Sequence, residues 1–156
     1  MSMLGIFKRK AQPLLPAEQQ QQIVQAIQEA EQCTSGEVRV FIESRCSYVD
    51  AMDRAREVFY HLKMEHIRQH NAVLIYVALT DRQTAVFGDE GIYRKTGGDP
   101  YWAGVLNSMR LLFQQNKIAE GIASAARQIG KTLSEHFPYD AQTDKNELPD
   151  DIVFGH

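Results

Sequence analysis

The amino-acid sequence predicts an α/β fold: a three-layer α/β/α sandwich in which helices flank a small mixed sheet of about four strands. Three observations predict it. Residues 37–43 alternate, with Val38, Val40 and Ile42 set against Arg39 and Phe41, as a strand does. Residues 72–79 run apolar without alternation, the pattern of a strand covered on both faces. The stretches before, between and after them carry apolar residues at helical spacing.

The first helix opens at Pro16, whose missing N–H costs nothing at the first helical position, and Glu18 sets a negative charge in its first turn. Ile23, Val24, Ile27 and Ala30 form its stripe, the glutamines 19–22 its solvated flank, and Gly36 lies beyond its end. After the strand at 37–43, Asp50 or Asp53 starts a second helix with Ala51, Ala55, Val58, Phe59 and Leu62 on one face, running toward Asn71. The Asp81-Arg82 turn leads from the second strand into a third at 84–87. Residues 88–100 hold Gly88, Gly91, Gly97 and Gly98 and read as a loop. A third helix carries Trp102, Val105 and Met109, and a fourth carries Ile118, Ile122, Ile129 and Leu133 until Pro138 stops it. Ile152-Val153-Phe154 reads as a short edge strand. A helical crossover makes the first two strands parallel, and the short turn makes the third antiparallel to the second.

The 156 residues are 44% hydrophobic and 24% charged, as expected of one globular domain. Residues 1–13 read as a flexible tail and 14–156 as a single domain with an acidic C-terminal segment. The net charge of −3 argues against nucleic acid as a partner. Cys33 and Cys46 make no C-x-x-C pair and read as reduced thiols. The apolar start precedes Lys8-Arg9-Lys10, the reverse of a signal peptide's charge order, and no apolar run approaches the ~20 residues that cross a bilayer. The expected compartment is the cytoplasm, with a weak membrane contact of the N-terminus through Leu4, Ile6 and Phe7 as an alternative to a frayed end.

Strand direction sorts the acids by sheet end. Glu37 opens the first strand and Asp89 closes the antiparallel third, so both are expected at one end. Asp81 is expected at the other, near Asp50 and Asp53. Gly88-Asp89-Glu90-Gly91 offers two carboxylates and loop carbonyls, the oxygen donors that Ca²⁺ gathers about 6–8 at a time. Asp99 lies at the far end of that loop, and the C-terminal segment adds Asp140, Asp144, Asn146, Glu147, Asp150 and Asp151. The competing reading is a solvated acidic surface.

Standard catalytic and metal motifs fail. Asp144-x-Asn146 begins like an EF-hand loop, but Leu148 and Pro149 stand where a ligand and a glycine are needed. Cys33 and Arg39 have phosphatase-loop spacing in the wrong structural order, helix before strand. His66 and His70, at one-turn spacing, lack a third zinc ligand.

Several segments together resemble the TPM domain family. They are Leu15-Pro16-Ala17-Glu18, Ser35-Gly36-Glu37-Val38, Gly88-Asp89-Glu90-Gly91-Ile92, Glu120-Gly121-Ile122 with Gly130, and His136-Phe137-Pro138. The resemblance spans roughly residues 14 to 154. The tail, Glu147-Leu148-Pro149-Asp150-Asp151-Ile152, is similar to that of a stand-alone bacterial subgroup. The resemblance implies an α/β/α sandwich whose crossing loops bind divalent cations, calcium in preference to magnesium. Glu37 and Asp89 are the first candidate ligands it implies, then Asp150 and Asp151, with Asp81 kept as a further one. It also implies a regulatory or partner-interaction role with an unidentified protein partner. The alternatives are a metal-assisted phosphomonoesterase, with no nucleophile named by motif, and a purely structural partner-binding module.

Overall fold

A computed structural model of the chain describes residues 14–140 and 151–155. The elements are α1 (Ala17–Glu31), β1 (Glu37–Glu43), α2 (Ala51–His61), a 3₁₀ turn (Met64–His66), β2 (Ala72–Ala78), β3 (Gln83–Gly88), α3 (Glu90–Lys95), α4 (Asp99–Gln114), α5 (Ile118–His136) and β4 (Ile152–Phe154). The strands form one sheet in the order β3-β2-β1-β4. β1 is parallel to β2, with Glu37 opposite Ala72, and parallel to β4, with Val40 opposite Ile152. β2 and β3 are antiparallel, with Val73 opposite Gly88. This is the expected α/β sandwich around a mixed sheet.

Alternation along β1 divides its side chains between two cores. Val38, Val40 and Ile42 join Val73 and Ile75 under α1, α4 and α5, packing on Ile23, Ile27, Met109, Ile122 and Ile129. Phe41 joins Leu74 and Tyr76 under α2, packing on Ala55, Val58 and Phe59. β2 is buried at every position because both faces are covered, which is why it shows no alternation. α1 crosses α5 where a Cβ on Gly130 would lie 2.4 Å from the Ala30 Cβ, so only glycine permits that approach.

The helix starts differ in detail from the sequence reading. Pro16 stands just outside α1, at φ −58° and ψ 150°, and its carbonyl accepts the Gln20 N–H at 3.0 Å. Asp50 caps α2, accepting the Met52 N–H at 3.0 Å. α2 does not run on toward Asn71: it stops at His61, and Lys63 turns the chain at φ 59°. His66 and His70 therefore share no helix, and the one-turn geometry of a zinc pair is absent. Cys33 and Cys46 are free thiols.

The stretch 88–100 is not a loop. Asp89 caps α3, and α4 begins at Asp99 with Pro100 in its first turn. Gly97 and Gly98, both at φ 84°, join the two helices. Among the described residues no helix is long and apolar enough to cross a membrane.

Candidate metal centre at the acidic end of the sheet

Parallel pairing brings the start of β1 beside the start of β2, and the antiparallel β3 returns its last residue to the same place. Glu37 and Asp89 therefore stand at one end of the sheet, 3% and 8% exposed. The Glu37 N–H donates to the Asn71 carbonyl at 3.3 Å and the Asp89 N–H to the Ala72 carbonyl at 3.0 Å, fixing both residues to the opening of β2. The end of α5 is tied in as well, since the Ser35 N–H donates to the Phe137 carbonyl at 3.0 Å and the Thr34 hydroxyl donates to the same oxygen.

Asp89, Glu31 and Asp151 each accept a backbone N–H in the protein. Asp89 Oδ1 accepts the Glu90 N–H at 2.8 Å, and its Oδ2 lies 3.1 Å from His70 Nδ1. Glu31 Oε2, at the end of α1, accepts the Val38 N–H at 2.7 Å. Asp151 Oδ1 accepts the Ile152 N–H at 2.7 Å as β4 begins. Arg39 joins this group. Burial pulls its guanidinium below the usual arginine range, against the attraction of Glu31, Glu37 and Asp151, and its Nε is buried without a hydrogen-bond partner among the described residues. One half-buried cation thus faces three carboxylates.

The loop carbonyls expected to serve as ligands are engaged by the helices that replace the loop. Asp89 O accepts the Tyr93 N–H at 2.9 Å, Ile92 O the Thr96 N–H at 3.2 Å and Tyr93 O the Gly98 N–H at 3.3 Å. Asp99 folds back as far as the Tyr93 hydroxyl, which donates to it. Gly91 has a packing role: a Cβ there would lie 2.4 Å from the Gln69 carbonyl and 2.5 Å from that of His70.

Asp81 stands at the opposite end of the sheet, as strand direction requires. Its Oδ2 accepts the Cys46 N–H at 2.7 Å and its Oδ1 lies 3.3 Å from Arg45 Nη1. Asp150, with Asp144, Asn146 and Glu147, lies outside the described residues. Among the described residues no three His, Cys, Asp or Glu side chains stand close enough together to hold a metal ion.

Sequence reasoning missed His70 as the partner of Asp89, and Arg39 and Glu31 as members of the acidic end. Glu31 sits at a helix end and Arg39 at an ordinary strand position, so neither gave a periodic or motif signal. It also missed a second polar cluster at the other end of β1. There Arg54 Nε and Nη2 donate to Glu43 at 2.9 Å each, and the Tyr76 hydroxyl donates to the same carboxylate.

The family model of the TPM domain matches residues 9–132 of the chain. The chain belongs to the TPM domain family. Among solved structures it is similar to the BA42 protein from the psychrophilic bacterium Bizionia argentinensis, at 38% identity and a TM-score of 0.82. That match covers 94% of this chain and 99% of the other. Comparison with curated proteins returned no match. The TPM membership accounts for the arrangement of sheet and helices. The roles of its carboxylates rest on the geometry above.

Proposed function

We propose that this TPM domain is a regulatory, partner-binding module that takes up a divalent cation, calcium, at the acidic end of its sheet. The observation that carries the proposal is convergence. Glu37 and Asp89, both buried, come to one sheet end from strands remote in sequence, and Asp151, just before β4, joins the charges around Arg39 there. The residues preceding Asp151 include Asp144, Glu147 and Asp150. A hard cation suits carboxylate and carbonyl oxygens and would offset the repulsion among the gathered carboxylates. Glu37, Asp150 and Asp151 are the proposed ligands, joined by Asp89 where it yields its contact with His70. Asp81 stands apart from them.

Calorimetric titration with Ca²⁺ tests this. Saturable binding should weaken at least tenfold, about 1.4 kcal/mol, in Glu37→Gln and in Asp151→Asn, and stay unchanged in Asp81→Asn. Absence of binding, or equal binding in all three variants, contradicts the proposal.

A second reading, a partner-binding module without metal, is favoured by the engagement of Asp89 and Asp151 in hydrogen bonds within the protein. It predicts a fold indifferent to chelator. The phosphomonoesterase alternative predicts hydrolysis of an aryl phosphate that disappears in Asp89→Asn.

A further inference from the structure

The end of the sheet away from Glu37 and Asp89 carries both charges, with Asp81 and Glu43 paired to Arg45 and Arg54. A cavity of about 610 Å³ opens there, walled by Leu15, Leu79, Phe113 and Ile118, with Arg82 and Arg110 at its lining. A smaller cavity of about 330 Å³ shares Arg82, Gln83, Thr84 and Arg110, so the two arginines stand where the cavities adjoin.

These arginines come from separate elements, the β2–β3 turn and α4. Arg45, Arg54, Arg56, Arg94 and Arg127 each have a carboxylate partner, whereas Arg82 and Arg110 have no ion pair among the described residues. Asp81, the immediate neighbour of Arg82, is turned to Arg45 and the Cys46 N–H. Among the described residues the one carboxylate on either lining is Asp50 of the smaller cavity, which caps α2. Arg82 also holds a positive φ of 53°, where a side chain is uncommon and glycine or asparagine would be at ease.

We propose that this cavity binds an amphiphilic anion, its carboxylate or phosphate head held by Arg82 and Arg110 and its apolar body against Leu79, Phe113 and Ile118. The size lies within the ordinary range of small-molecule sites, roughly 300–1,000 Å³. Guanidinium forks match the planar oxygen pairs of carboxylate and phosphate, and two arginines on one lining favour an anionic head. The apolar wall selects against small hydrophilic anions. This site is independent of the proposed cation site and lies at the other end of the sheet.

The test is an amide NMR titration of the full chain with decanoate, decyl phosphate and decan-1-ol, each kept below its micelle concentration. Saturable shifts confined to residues 14–19, 77–84 and 110–118 are expected with the anions and not with the alcohol. The tighter of the two anions identifies the head group. Arg82→Glu and Arg110→Glu, both at exposed positions, should leave the melting temperature unchanged and weaken binding at least tenfold. Four results overturn the proposal: no saturable shift, equal shifts with the alcohol, affinity unaffected by the substitutions, or contacts from Ile6 and Phe7 to Phe113 that persist at saturating anion. The last would show that the chain's own N-terminal residues fill the cavity.

Discussion

Glu43 is a carboxylate buried at 4% exposure on the α2 side of the sheet, and it stays charged because its neighbours are arranged for it. Burial pushes its pKa up, but the hydrogen bonds from Arg54 and Tyr76 outweigh that and hold it below the ordinary glutamate value. A carboxyl depressed on folding contributes stability that is fully present above its unfolded pKa, about 4.3. That contribution is lost as pH falls through the lower folded value. Glu43→Gln should therefore cost about 3 kcal/mol at neutral pH by leaving Arg54 with a poorer partner. It should also flatten the acid limb of stability below about pH 4. Urea denaturation of both proteins across that range checks this, and parallel acid limbs would contradict it. Asp89 separates differently. Asp89→Asn keeps an acceptor for the Glu90 N–H, so stability without metal should be nearly unchanged, while Asp89→Ala should lose about 1 kcal/mol. The His70 contact adds little because that ring is 56% exposed.

At the scale of elements, α3 shows how a packing requirement resembles a binding motif. Gly88-Asp89-Glu90-Gly91 looks like a cation loop because its residues are small or acidic. In the fold Asp89 is a helix cap, Gly91 admits the carbonyls of Gln69 and His70, and Gly88 leaves room for Trp102, whose ring would lie 2.8 Å from a Cβ there. Six helical residues are too few to display a 3.6-residue period, so the helix was not legible, whereas the long stripes of α4 and α5 were. Gly91→Ala should destabilise by about 1–3 kcal/mol because both obstructing atoms are backbone. Gly104→Ala, in mid-α4 with nothing within 4 Å of its Cβ, should stabilise by about 0.5–1 kcal/mol. Equilibrium unfolding of the two variants gives both signs.

Across the whole molecule, strand direction decides which charged residues meet at each end of the sheet. Acids gather where β1 and β2 begin and β3 finishes, and two arginines without ion pairs among the described residues stand where β2 turns into β3. The placement of Glu37, Asp89 and Asp81 was legible because strand direction alone determines it: a crossover makes β1 and β2 parallel, and a tight turn reverses β3. What each carboxylate touches was not legible. Those contacts depend on side chains such as Glu31, His70 and Arg39, brought together only when α1, the turn before β2 and β4 dock on the sheet. A cation at the acidic end should stabilise the folded chain, and thermal unfolding in chelator and in excess Ca²⁺ measures that stabilisation. With calcium at a hundredfold excess over its dissociation constant, the midpoint should rise by about 5–10 °C. Coincident melting curves in the two conditions would show that no calcium ion stabilises the fold.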